Sequence, residues 1–159
     1  MKTTANISML DQIRDLYQEV VFDHNRNPRN FRIMEDATKT IEGFNPLCGD
    51  RITLFLKLSD GRIEDISFQG AGCAISTASA SLMTEIVKGL TESEAAHLFE
   101  IFHRITTGKE DASENLEALG KLAVLAGVKS YPARVKCATL PWHSLEAALQ
   151  GEAETISTE

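Results

Sequence analysis

"RITLFLKLSDGRIEDISF", residues 51–68, decides the fold. Ile52, Leu54, Leu56 and Leu58 fall on one face of an extended chain, and Ile66 and Phe68 fall together further on. A period of two marks strands with one buried face. Between the two runs stands Asp60–Gly61, a pair that tolerates positive φ and is the strongest short-range hairpin signal. The stretch therefore reads as two antiparallel strands joined by a tight turn. A further short strand is expected just upstream, around 38–41.

Helical patterns flank this sheet. Residues 7–24 carry Met9, Leu10, Ile13, Leu16, Tyr17, Val20 and Val21 as one apolar stripe, with Ser8 and Asp11 as a start signal. Asn27 before Pro28 ends it, because the residue before proline is pushed out of helical geometry. After the hairpin, "CAISTASASLMTEIVKG" (73–89) predicts a helix opening near Cys73 and closing at Gly89. Its Ser76, Thr77, Ser79 and Ser81 read as a small-residue packing face. "LTESEAAHLFEIFHRITTG" (90–108) opens with a Thr91–Glu94 capping box and stops at Gly108. Another helix is expected from Ser113, with Glu114 and Glu117 in its first turn, to a stop near Gly127 and Pro132. A last helix is expected from about Thr139, with Pro141 in its first turn, where a missing N–H costs nothing. Tyr131 and Trp142 read as packing anchors. Residues 151–159 read as a disordered polar tail. The order of helix, strands and then helices predicts a single α+β domain over 1–159, with a small antiparallel sheet covered on one face.

Composition narrows the function. A 159-residue chain with 43% hydrophobic residues can bury one full core without disulfides. The net charge of −7 argues against a general grip on nucleic acid, which needs a basic surface. Arg26, Arg29 and Arg32 form the one local basic patch, read as a solvated loop. The first residues lack the apolar core of a secretory signal, and no run approaches the length of about 18 apolar residues that a membrane span needs. The expectation is a cytoplasmic protein with no membrane and no nucleic-acid partner.

In a reducing compartment the three cysteines argue for metal binding, catalysis or inert burial rather than a disulfide. Cys73 stands where strand gives way to helix, after Gly70 and Gly72. Cys137 stands just before the last helix, and Cys48 sits with Asp50 in a loop beside the sheet. Helix N-termini offer unpaired N–H groups and a positive dipole end, and both favour thiolate, the form that binds metal or attacks. Three thiolates leave one position of a tetrahedral site open. Asp50 can fill it from a turned loop or be an ordinary turn aspartate, and the sequence leaves both open. The wide spacing of 48, 73 and 137 lacks CxxC clustering. His24, His97, His103 and His143 are weaker rival ligands. No Ser-His-Asp order and no phosphate loop stands out.

"NPLCGDRI" (45–52), "GAGCAISTASASLMT" (70–84), "PARVKCATLPWHSL" (132–145) and "DHNRNPRNF" (23–31) together resemble, in order and spacing, the SufU branch of the IscU/NifU-like iron–sulfur cluster assembly family. The resemblance covers residues 10–150. It implies an α+β fold with a three-stranded sheet and its cysteines gathered at one end. It also implies work with a pyridoxal-phosphate cysteine desulfurase of the SufS type and with downstream iron–sulfur assembly proteins. Carried over by position, Cys48, Asp50, Cys73 and Cys137 fall on the metal-site positions, and Arg134 on the basic position of the SufU motif. Lys136 stands where IscU-type scaffolds have a histidine, and the segment 91–110 resembles the insertion that sets SufU apart. Both departures favour a zinc-bearing sulfur acceptor, or sulfurtransferase, over the alternative of a scaffold holding a transient iron–sulfur cluster. On that reading Cys48, in a loop and followed by Gly49, accepts persulfide sulfur, with Arg134 and Lys136 lending positive charge.

Overall fold

The computed structural model describes residues 17–109, 119–151 and 155–157. A helix, α1, covers 17–26 of these. Strands β1 (Lys39–Asn45), β2 (Asp50–Ser59) and β3 (Arg62–Ala71) follow, then helices α2 (Ala74–Val87) and α3 (Glu92–Thr106). A 3-10 segment (Gly120–Ser130), a long helix α4 (Pro132–Gln150) and a strand β4 (Thr155–Ser157) complete the fold. The Ser8–Asp11 start of the first helix and the Ser113, Glu114 and Glu117 start of a later one lie outside the described residues.

The hairpin forms as its sequence requires. β2 and β3 pair antiparallel from Arg51↔Ala71 to Ser59↔Arg62. Asp60 and Gly61 both take positive φ, 51° and 74°, the geometry of a type I′ turn. Ile52, Leu54, Leu56, Ile63, Ile66 and Phe68 are buried together beneath the helices. β1 pairs antiparallel with β2, from Lys39↔Leu56 to Asn45↔Asp50, and is longer than the 38–41 segment expected.

The sheet has four strands, in the order β3-β2-β1-β4, where three were expected. β4 pairs parallel to β1 through Glu42↔Thr155, Gly43↔Ile156 and Phe44↔Ser157. It belongs to the stretch expected to be a disordered tail. An unpaired β1 edge is a row of open hydrogen-bonding groups, and a short strand with Ile156 turned towards the core satisfies it.

The capping box expected at Thr91 and the helix opening expected at Cys73 are both present. Thr91 and Glu94 form a reciprocal capping box on α3, and Cys73 is the N-cap of α2. Two helices differ from expectation. The 120–130 segment winds as 3-10 turns because Leu119, Leu122, Leu125 and Val128, all buried, recur every third residue, the 3-10 period. The last helix starts at Pro132, not near Thr139, so Pro141 lies in its interior. Pro132 takes the first-turn place that a proline suits. The helix persists through Pro141 because Cys137, Ala138, Leu140, Trp142, Leu145 and Ala148 are all buried on it. Trp142 is fully buried between Phe99 and Phe102, an anchor as expected. Tyr131 is 62% exposed, so it is not the buried anchor expected. No helix among the described residues is long and apolar enough to cross a membrane.

Gly61→Val tests the turn. A Cβ there meets nothing within 4 Å, so only the left-handed backbone resists it. Urea unfolding is expected to show a loss of about 1–2 kcal/mol with the native spectrum retained.

Candidate functional site

The core-facing stripes of β1 and β2 turn polar at one end. Along β2 the buried positions run Leu56, Leu54, Ile52 and then Asp50; along β1 they run Ile41, Gly43 and then Asn45. The two polar residues face each other as the pair that closes the β1–β2 hairpin. Cys48 sits in the turn between them, its N–H donating to the Asn45 carbonyl at 3.3 Å. Asp50 is therefore the buried first residue of β2, 2% exposed, and not a loop aspartate.

A buried carboxylate needs donors. Asn45 Nδ2 donates to Asp50 Oδ2 at 3.2 Å, and the Cys73 N–H donates to Asp50 Oδ1 at 2.8 Å. Gly72 makes the second bond reachable, because a Cβ there would sit 2.6 Å from Asp50 Oδ1. Cys73 Sγ lies 3.9 Å from Asp50 Oδ2 and accepts the Ser76 N–H at 3.4 Å as it caps α2. Cys137 arrives from the second turn of α4 rather than from a segment before a helix, and is fully buried. Its sulfur is 3.2 Å from that of Cys48 and accepts from Asn45 Nδ2 at 3.5 Å.

One ligand atom each from Cys48, Asp50 and Cys137 lie within 4.8 Å of one another, a group able to hold a metal ion. Cys73 stands beside this group through its two contacts with Asp50. All three cysteines are unpaired thiols. Burial pushes the thiol of Cys137 well up from its ordinary pKa, and Asp50, Cys48 and Cys73 push it the same way.

The two cations of the last segment part company. Arg134, three residues before Cys137 on the same helical face, sends its guanidinium to the thiols. Its bond to Cys137, and the charge of Cys73, Cys137 and Cys48, hold its pKa even above the usual range. Lys136 lies about 100° round the helix from Cys137 and lines a separate cavity with His103 and His143. The structure does not place it at the thiols as expected.

None of the four histidines joins the donor group. His97 is exposed. His24 is buried against α2, where its Nδ1 and the Ser81 hydroxyl share a hydrogen bond of 2.7 Å, and burial pushes its pKa down. Ser76, Ser79 and Ser81 are buried packing residues, as expected. Asn45 is the site residue that sequence reasoning missed. Its signal was the alternation Ile41, Gly43, Asn45, which puts an amide on the buried face.

Residues 16–138 match the family model of the NifU-like N-terminal domain. The chain is 43% identical over 137 residues to the zinc-dependent sulfurtransferase SufU of Bacillus subtilis, covering 86% of this chain and 91% of that one. It is 40% identical over 144 residues to the iron–sulfur cluster assembly scaffold protein IscU of Streptococcus pyogenes, covering 91% and 89%. A crystal structure of a candidate iron–sulfur assembly scaffold for the SUF system from Fervidobacterium islandicum superposes with a TM-score of 0.79 at 38% identity, covering 84% and 96%. The chain belongs to the NifU-like N-terminal domain family.

The buried thiol makes a prediction of order. In chelator-stripped protein at pH 8, Cys137 is expected to remain unalkylated by iodoacetamide after Cys48 and Cys73 have reacted, because a raised pKa and burial both withhold its thiolate. Peptide mass spectrometry over time reads the three rates. Cys137 alkylating as fast as Cys48 contradicts the arrangement.

Proposed function

We propose that this member of the family acts in iron–sulfur cluster assembly as a zinc-dependent sulfur acceptor, taking persulfide sulfur from a pyridoxal-phosphate cysteine desulfurase of the SufS type. One observation carries this reading. Cys48, Asp50 and Cys137 meet at the buried end of the sheet with Cys73 alongside, in a chain 43% identical to a zinc-dependent sulfurtransferase.

The donor set fits zinc. Sulfur with one carboxylate suits a four-coordinate borderline-soft ion and not calcium or magnesium, which take oxygen alone. Cys48, Cys73 and Cys137 would hold the ion through sulfur and Asp50 through a carboxylate oxygen. When bound, zinc keeps these sulfurs as thiolates at neutral pH, where an ordinary thiol with a pKa of about 8.5 is mostly protonated.

The residues divide the remaining work. Cys137 is locked in a helix, and Cys73 is held at both its amide and its sulfur. Cys48 rides in a turn, partly exposed, so its thiolate is the one free to meet a partner. It attacks the outer sulfur of the desulfurase persulfide. The partner's S–S bond breaks, its cysteine leaves as thiolate, and Cys48 carries the persulfide, with no net oxidation. Arg134 places a fixed positive charge beside the sulfur anions throughout. A scaffold reading rests on the similarity to the Streptococcus pyogenes IscU, since thiolates also ligate clusters. Lys136, at the position where the IscU-type pattern has histidine, faces away from the thiols and supports the acceptor reading instead.

Elemental analysis with a visible spectrum separates the two. One zinc per colourless chain is expected, and bound iron with sulfide absorption would favour the scaffold. Incubation with the desulfurase and cysteine, then non-reducing peptide mass spectrometry, is expected to find added sulfur on Cys48. A persulfide confined to Cys73 or Cys137 would refute the assignment. Arg134→Ala is expected to slow transfer about tenfold, the scale of one charge-assisted contact, with zinc content unchanged. An unchanged rate removes Arg134 from the mechanism.

A further inference from the structure

A cavity of about 420 Å³ opens between α3, α4 and β4, on the side of the last helix away from the cysteines. α4 lines it with Lys136, Thr139 and His143, at the i, i+3, i+7 spacing that makes one helical face. α3 adds His103 from its last turn, and β4 adds Ile156 and Ser157. The rings of His103 and His143 stand edge to face with centroids 5.7 Å apart, and Phe99 packs against both, at 5.7 Å and 5.0 Å.

Three nitrogen-bearing groups thus meet at one cavity, and none takes part in the cysteine site. Among the described residues, no hydrogen bond or ion pair engages either imidazole or the Lys136 ammonium. Burial and the neighbouring His103 push the pKa of His143 down. A metal is the poorer occupant. The ammonium repels a cation, and the cysteine site is the only group of three or more ligating residues found among the described residues.

We infer that this cavity binds a small tetrahedral oxyanion, free phosphate or the phosphoryl group of an organic monoester. Lys136 supplies the fixed charge. His143 and His103 supply donors whose number rises as they protonate. Val135 and Ile156 give an apolar wall beside them, with room for the organic part of a monoester. Among the described residues, the titratable group facing His143 is His103 from α3, with the Lys136 ammonium on its own helix, and β4 lines the cavity with Ile156 and Ser157. An anion here stabilises imidazolium, so by linkage its affinity rises as pH falls.

Imidazole NMR on the full metal-loaded chain tests this, with exposed His97 as the control ring. Inorganic sulfate, a dianion throughout, is titrated at pH 6 and pH 8 against sodium chloride of matched ionic strength. The expected result is saturable shifts at His103 and His143 only, at least about threefold tighter at pH 6. Lys136→Met and His143→Gln are each expected to weaken binding about tenfold, the scale of a charge-assisted hydrogen bond. Parallel titrations with inorganic phosphate and glycerol 3-phosphate at pH 7 identify the source. Tighter phosphate marks the free ion, tighter glycerol 3-phosphate a monoester, and either supports the site. Shifts matched by chloride, equal shifts at His97, or no saturation by any of the three anions would overturn it, and each of these outcomes is read on the parent protein alone.

Discussion

Helix α4 packs directly on β1 at Gly43, where any side chain would press on three neighbours. A Cβ there would be 3.1 Å from the Ile52 side chain and 3.2 Å from that of Leu140, and would overlap the Ser144 hydroxyl. This contact sets the height and rotation of the longest helix over the sheet. With Leu140 against Gly43, the residue one turn earlier on the same face is Cys137, and the next core position along β1 is Asn45. Sulfur and amide therefore meet at 3.5 Å. With Ser144 on the same glycine, Trp142 turns inward to stack on Phe99. The fold's main packing contact and the assembly of the site are one constraint.

The site is the place where the core gives out. A sheet face that continued apolar through positions 45 and 50 would be the ordinary solution, since a buried carboxylate without partners costs several kcal/mol. Here the cost is offset by two donors at 3.2 Å and 2.8 Å, one from a side chain across the hairpin and one from a helix cap. The second exists only because Gly72 carries no side chain to hold β3 and α2 away from Asp50. What remains unsatisfied is informative. Among the described residues, Asn45 Oδ1 is buried with no hydrogen-bond partner, while its Nδ2 ties Asp50 and Cys137 together.

Much of this was legible in the sequence, for identifiable reasons. The hairpin was readable because Asp60–Gly61 is a local signal that no tertiary contact needs to complete. The Thr91–Glu94 box was readable for the same reason, and so was Cys73 at a helix start. The family resemblance brought together Cys48, Asp50, Cys73 and Cys137, which no spacing rule could have joined. The failures come where long-range packing outvoted a local cue. Pro141 signals a helix start, yet burial on both sides carried the helix through it from Pro132. β4 is too short and polar to announce itself and exists because β1 has an edge to cover. The 3-10 segment was readable in principle, since its leucines recur every third residue, but that period is easily mistaken for an α-helical one over so few turns. Asn45 was hidden by the adjacent Pro46, which marks a turn and masks the strand that precedes it.

Helix α4 explains how neighbouring residues came to separate roles. At about 100° per residue, Arg134 and Cys137 share the face over the thiols, while Lys136 and His143 share another turned toward α3 and β4. A histidine with the same backbone as Lys136 would inherit that direction, so reaching the thiols from position 136 would require the helix to turn about its axis. Leu140 and Ser144, seated over Gly43, hold the helix in its present rotation. The packing that delivers Cys137 to Asn45 therefore also keeps position 136 out of the thiol cluster. Among the described residues, the cation beside the sulfurs is then Arg134, exposed on the same helical face and held protonated by its interaction with Cys137, Cys73 and Cys48.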